Sequence, residues 1–222
     1  MSVTDQFGKI TLYGAPYSVY VRAVRMALAA KRYPYRLVPV DVFAPGENTE
    51  AYRKLHPFGR IPVLQHGRFT LYETAAINRY IDEAFPGPNL QPPTPRSRAR
   101  MVQIMSMADS YGYRPLVWDV YVERVSNPRE GKPTDEARIA AALPKARIYL
   151  AALSDLMESR KFLAAGALTL AECHTAPVIG YFAEAPEGSA MLAEFPRLDV
   201  WWARIAGTVA WQHAISDRHN NP

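Results

Sequence analysis

Two short stretches of this chain carry residue types that could read a small peptide. In Phe58-Gly59-Arg60-Ile61-Pro62-Val63-Leu64 a proline stands between two β-branched residues. Proline donates no ladder hydrogen bond, so Pro62 belongs at the edge or the start of a strand. If the Ile61-Pro62 bond is cis, the Ile61 backbone turns outward and its N–H and C=O are free to pair with an extended peptide. In Leu71-Tyr72-Glu73-Thr74-Ala75-Ala76-Ile77 an acid and a hydroxyl open a helix, beside the positive end of its dipole. A backbone-reading edge next to a terminus-reading helix start describes a site for a small peptide.

Those stretches need a scaffold, and the first third of the chain alternates strand and helix signals. Lys9 to Tyr13 reads as a strand, broken by Gly14-Ala15-Pro16. Val19 to Lys31 reads as a helix with Val21, Val24, Met26 and Leu28 on its apolar face. Tyr35 to Val40 is a second strand, which Pro39 assigns to a sheet edge. Asn48 to Leu55 makes a short helix. Ile61 to Leu64 and Phe69 to Tyr72 flank the turn-like Gln65-His66-Gly67-Arg68 and form a hairpin. Glu73 to Phe85 is a helix with Ala76, Ile77, Tyr80 and Ile81 on one face. The order βαβαββα, with a proline at the third strand, is the thioredoxin-like α/β pattern.

Pro86-Gly87-Pro88-Asn89 and Pro92-Pro93-Thr94-Pro95 then read as a semi-rigid linker. Beyond it the strand signals stop. Arg96 to Val125, Asp135 to Ser159, Thr169 to Glu184 and Pro196 to Trp211 read as helices, with Ser126 to Thr134 a polar loop. Thr169-Leu170-Ala171-Glu172 is a capping box, a structural helix start. The expected organisation is an α/β thioredoxin-like domain over 1–86, a linker over 87–95 and an all-α helical bundle over 96–222.

Composition narrows the function. Hydrophobic residues make up 49% and charged residues 21% of the 222, as in an ordinary soluble globular protein. No apolar run is long enough for a membrane span and the N-terminus lacks a signal-peptide core, so a cytoplasmic location is expected. Cys173 stands alone, which excludes an intrachain disulfide and a zinc site of several thiolates. The five histidines have no metal-ligand spacing. The net charge of +5 is scattered, and its densest cluster, Arg96, Arg98 and Arg100, lacks the interleaved aromatics that stack bases. Anionic small ligands fit this balance better than nucleic acid.

The residues together resemble the cytosolic glutathione transferases. The resemblance covers nearly the whole chain. It rests on Leu12-Tyr13-Gly14-Ala15-Pro16-Tyr17-Ser18-Val19-Tyr20-Val21-Arg22, then Pro57 to Leu64, then Leu71 to Ile77, specific in that order and at those separations. It implies a thioredoxin-like glutathione-binding domain and a helical second-substrate domain, in a serine-using, bacterial-looking member. Pro62 matches the family's cis-proline, and Ile61 the residue whose backbone pairs with the cysteinyl part of glutathione. Glu73 and Thr74 match the pair holding the γ-glutamyl ammonium and carboxylate. Arg60 stands where many members have glutamine or lysine; it can reach a ligand carboxylate or lie on the surface. Asn48 and Thr49 fall where some classes place basic or amide residues toward the glycyl end.

Ser18 matches the serine that hydrogen-bonds the glutathione sulfur, and serine is also a preferred helix N-cap. Tyr17 is the alternative thiol contact, with Tyr13 and Tyr20 behind it. Tyr111, Tyr113, Arg114, Trp118 and Tyr121 form the expected wall of the second-substrate pocket, to which Trp211 and His213 could add a cap. Cys173 reads as a buried, inert thiol, and His174 as a satisfied core or surface histidine rather than a catalytic base. The implied function is addition of the glutathione thiolate to small hydrophobic electrophiles by a detoxifying homodimer, with glutathione as co-substrate and no metal. The alternatives are a non-catalytic binding or regulatory protein, and a glutathione-dependent lyase, dehalogenase or thiol oxidoreductase.

Overall fold

The computed structural model describes residues 9–44, 46 and 49–216. Their contacts divide into two compact units, one running to Leu90 and resuming at Thr208, the other spanning Gln91–Gly207.

The first unit is built on β1 (Ile10–Tyr13), α1 (Val19–Lys31), β2 (Arg36–Val38), α2 (Glu50–Arg53), β3 (Val63–His66), β4 (Phe69–Tyr72) and α3 (Thr74–Ala84). The strands lie in the order β2-β1-β3-β4. β1 pairs with β2 in parallel, with Tyr13 opposite Val38. It pairs with β3 antiparallel, with Tyr13 opposite Val63, and β3 sets Val63 opposite Tyr72 of β4. β2 is therefore an edge strand, and it is shorter than the expected Tyr35–Val40, stopping at Val38 just before Pro39, which has no N–H to continue a ladder. Ile10, Leu12, Val21, Val24, Leu28, Leu64, Ile77 and Ile81 are buried in this unit.

Each helix has a local cause. Ser18 caps α1 by accepting from the Val21 N–H, and Arg32 closes it in the left-handed conformation. The hairpin turn is shorter than expected. β3 runs on to His66, opposite Phe69, because Gly67 at φ 59° lets two residues reverse the chain. Helix α3 starts one residue later than expected, and Ala76 is exposed while Asn78 and Asp82 join Ile77 and Ile81 inside.

A buried node ties α1, α3 and the following segment together. Lys31 Nζ lies 3.1 Å from the Asp82 carboxylate and donates to the carbonyls of Asp82 and Pro88. The same carboxylate accepts from the Leu90 N–H at 2.7 Å. Each charge has fixed partners, the condition under which a buried pair is tolerated.

The second unit is helical. α4 (Pro95–Met107) runs on through wide turns over Ala108–Gly112 and Arg114–Ser126 to a short end at Asn127–Arg129. In those turns an N–H bonds the fifth residue back, as Tyr113 does to Ala108 and Asn127 to Val122. The sequence predicted one α-helix ending at Val125. Pro115 has no N–H and its ring would press on the carbonyl four residues back, which opening the turn relieves. α5 (Glu136–Met157), α6 (Leu170–Glu184), α7 (Pro186–Ala193) and α8 (Pro196–Ala206) follow. The expected capping box opens α6, with Glu172 accepting from both the N–H and the hydroxyl of Thr169.

The last expected helix is two helices, and the second, α9 (Val209–Ile215), groups with the first unit. The range 96–222 is thus not one helical body. The reason is Arg25 on α1, which is buried and donates to the carbonyls of His213 and Ser216 at 2.9 and 2.6 Å, the negative end of α9. Its Nε donates to the Tyr35 hydroxyl, which lies 3.2 Å from His213 Nε2. His213 is accordingly part of this clamp, and Trp211 is buried.

Asp82→Ala leaves the buried Lys31 ammonium without its charge partner and is expected to cost about 3–5 kcal/mol. Urea unfolding with probes in the first unit measures it; a loss below about 1 kcal/mol would assign the node no structural weight.

Candidate functional site

The strand register determines which residues meet. Chain leaving β1 at Tyr13, chain entering β3 at Val63 and chain leaving β4 at Tyr72 all sit at one end of the sheet, because Tyr13 faces Val63 and Val63 faces Tyr72. Ser18, Ile61-Pro62 and Glu73-Thr74 are therefore delivered to a common end. β2 leaves at the same end, since Val38 faces Tyr13. Gly14 shows how tightly these loops approach. A Cβ there would stand 2.4 Å from Val21 Cγ2 and 3.4 Å from Ile61 Cβ, so only glycine fits.

Ser18 is half-buried at the N-terminus of α1. Its Oγ accepts from the Val21 N–H at 3.4 Å. That bond uses an oxygen lone pair, and among the described residues no acceptor takes the hydroxyl proton. Capping the helix and donating to a ligand are thus compatible in one side chain. Tyr17, exposed beside it, donates its hydroxyl to Asp41 Oδ1, which also accepts from the Phe43 N–H. Tyr13 donates to Gln65 Oε1 at 3.0 Å. Of these hydroxyls, Ser18's is the one with a proton to offer.

The Ile61-Pro62 bond is cis. Among the described residues no partner takes the N–H or the C=O of Ile61. The preceding carbonyl, of Arg60, accepts from the Tyr52 hydroxyl at 2.7 Å, which pins this loop to α2. Tyr52 in turn packs with Val40 and Val63. Burial pushes the Tyr52 hydroxyl above its ordinary range, so it stays a donor. The Arg60 side chain is exposed and makes no ion pair among the described residues.

Glu73 sits at φ 71°, ψ 112°, at the N-cap of α3, and its side chain makes no cap bond. Such a backbone is costly for a residue with a Cβ. Its carboxylate is exposed at the positive end of α3, with buried Thr74 next to it. An acid in a strained cap that does not use it for capping is suited to an outside partner.

Other expected residues have different positions. Asn48 lies outside the described residues, and the Thr49 hydroxyl caps α2 by accepting from the Tyr52 N–H. Tyr111, Tyr113, Arg114 and Trp118 lie on the wide helix of the second unit. Tyr111 and Arg114 are exposed while Tyr113 and Trp118, five apart, are half-buried. Arg114 reaches Asp119, also five along, at 2.9 Å, so α-helical spacing does not group this stripe. Tyr121 stacks on Tyr181, with ring centres 4.3 Å apart. Cys173 and His174 are buried, the latter 2.8 Å from Asp109 Oδ1. Among the described residues no group of His, Cys, Asp and Glu could hold a metal ion. An open apolar hollow of about 340 Å³, lined by Tyr13, Val38, Val40, Tyr52 and Leu55, includes none of Ser18, Ile61 or Glu73.

Family profiles match most of the chain. "Glutathione S-transferase, N-terminal domain" matches residues 12–89 and "Glutathione S-transferase, C-terminal domain" residues 105–208. A glutathione S-transferase of Hyoscyamus muticus is 30% identical over 206 residues, 92% of this chain and 96% of the relative. The chain belongs to the glutathione S-transferase family. Glutathione S-transferase F13 of Arabidopsis thaliana is 27% identical, covering 90% of this chain and 92% of its own. Among solved structures, glutathione transferase F7 of Populus trichocarpa superposes with a TM-score of 0.82 at 28% identity, over 93% of this chain and 99% of its own. The theta-class enzyme of Xanthomonas axonopodis pv. citri, solved with glutathione bound, gives 0.79 at 28%, over 95% and 99%. This glutathione transferase is an enzyme whose co-substrate is glutathione.

Sequence reasoning missed two residues of this end of the sheet. Asp41 fixes Tyr17, and His56 lies buried against Tyr72 with ring centres 4.7 Å apart. Neither stands in a recognisable spacing; both are placed by loops whose ends only the sheet register brings together.

Glu73→Gly should relieve the strained backbone without removing any cap bond. Stability is expected to hold or rise by up to about 1 kcal/mol, while glutathione affinity falls. Paired thermal unfolding and calorimetric titration measure both, and a stability loss above about 1 kcal/mol would contradict a strained, function-directed cap.

Proposed function

We propose that this glutathione transferase joins the glutathione thiolate to small hydrophobic electrophiles, with Ser18 donating its hydroxyl to the sulfur. The observation that carries the reading is the convergence, at one end of the sheet, of three groups without a hydrogen-bond partner among the described residues: the Ser18 proton, the Ile61 backbone and the Glu73 carboxylate. The Ile61 N–H and C=O pair with the cysteinyl unit across the cis-Pro62 turn. Glu73 takes the γ-glutamyl ammonium, and Thr74 with the α3 N-terminus takes its carboxylate. Arg60 and Asn48 serve the glycyl end, Arg60 through a guanidinium that makes no ion pair among the described residues. Tyr111, Tyr113, Arg114 and Trp118 are the second-substrate contacts contributed by the helical unit. The assembly is a cytoplasmic homodimer engaged in detoxification; among the described residues no helix is long and apolar enough to cross a membrane.

Thiolate formation supplies only part of the rate. A thiol of pKa about 8.5 is roughly 3% ionised at pH 7, and lowering that by about two units raises the fraction roughly 25-fold. A Brønsted slope near 0.45 takes back about eightfold through weaker nucleophilicity, for a net gain of about threefold. The larger contribution is orientation of the electrophile beside the sulfur.

Ser18→Ala should abolish the thiolate absorbance of bound glutathione and lower turnover. Turnover intact without that absorbance would remove Ser18 from the chemistry. Glu73→Gln should weaken glutathione binding by roughly 1.5–3 kcal/mol, the worth of a charged hydrogen bond. A change of under about 0.3 kcal/mol in calorimetry would reassign the ammonium partner.

A further inference from the structure

His56 belongs to no part of the machinery described so far, yet it is buried against the residue that precedes Glu73. It follows α2, is 3% exposed, and its backbone is fixed at both ends. Its N–H donates to the Tyr52 carbonyl at 3.0 Å, and its C=O accepts from the Gly59 N–H at 2.8 Å. The ring lies against Tyr72 at 4.7 Å, tilted 30°, and edge-on to Phe58 at 6.1 Å. Tyr72 is the residue immediately before the strained Glu73. Nδ1 is buried without a hydrogen-bond partner among the described residues.

Two charges act on this ring. Burial is the largest influence and favours the neutral form, Glu73 opposes it, and Arg60 reinforces it. Tyr52 and Tyr72, the other titratable neighbours from α2 and β4, contribute packing and backbone bonds. With the ring neutral, the Glu73 carboxylate is left for an outside cation. A protonated ring, packed on Tyr72 one residue before Glu73, adds a positive charge within the electrostatic reach of that carboxylate, so an arriving ammonium meets a partly neutralised acid.

We propose that His56 is a positioning residue for glutathione recognition: neutral, it props Tyr72 and leaves Glu73 open to the γ-glutamyl ammonium, and protonated it competes for Glu73 and weakens binding. The inference rests on the assignment of Glu73 as the ammonium partner. The sign follows from the direction in which burial acts. Protonation sets in below the ordinary histidine value of about 6.5, so affinity is full at pH 7.5 and declines on acidification below that value.

The test uses the full chain and S-methylglutathione, whose sulfur carries no proton, so that thiol ionisation drops out of the profile. Calorimetric Kd values are measured at pH 7.5 and 5.5 for the wild type, His56→Asn and His56→Phe. The phenylalanine variant keeps the aromatic packing on Tyr72 should asparagine fail to fold. The wild type is expected to lose affinity between the two pH values, and a variant that binds at pH 7.5 to lose almost none. A purely structural histidine would shift affinity at both pH values alike. Retention of the wild-type loss in the variants would overturn the inference and leave the glutathione site standing, as would a flat wild-type profile. Absence of wild-type binding at pH 7.5 would overturn the glutathione reading, and this inference with it.

Discussion

The register between β1, β3 and β4 is the constraint on which the rest depends. One pairing chain, Tyr13 to Val63 to Tyr72, brings three segments far apart in sequence out of the sheet at the same end. A slip of one residue in β3 would turn Leu64 outward and invert every side chain of the strand. The core therefore enforces the register, with Leu12 and Leu64 paired and fully buried. The same register that buries the core also composes the end of the sheet at which the candidate site lies.

What gathers there is a set of groups that the described residues leave without a partner. α1 takes a lone pair from Ser18 and leaves the proton, and α3 takes nothing from the Glu73 side chain. The Tyr17 hydroxyl, by contrast, is bound to Asp41. Strain at Glu73 is set against rigid neighbours, notably the buried Lys31–Asp82 node on the other face of α3. Such local cost is tolerated when the surrounding structure over-determines the backbone. Rigid anchoring and strained display are two aspects of one helix.

Much of this was legible in the sequence. Pro62 marked a strand start, Pro39 an edge, and Ser18 and Thr169 helix caps, because proline geometry and capping chemistry act within a few residues. The βαβαββα order followed from alternating signals and gave the thioredoxin-like first unit and the helical second. The misses have long-range causes. The wide turns after Met107 arise from Pro115 relieving a helix that periodicity reads as regular. The return of α9 to the first unit depends on Arg25, a contact spanning 188 residues to His213. His56 gained its setting only when β4 laid Tyr72 across it. Residue types announced the candidate site, but the groups that hold it became visible only with the sheet.

The central claim is that strand register composes a glutathione site from Ser18, Ile61 and Glu73. The most direct measurement is a crystal structure with glutathione bound. The account predicts the sulfur within hydrogen-bond distance of Ser18 Oγ, the cysteinyl N–H and C=O on the Ile61 backbone, and the γ-glutamyl ammonium on Glu73. A sulfur held by Tyr17, or a ligand seated in the hollow between Tyr13, Val38 and Tyr52, would contradict it.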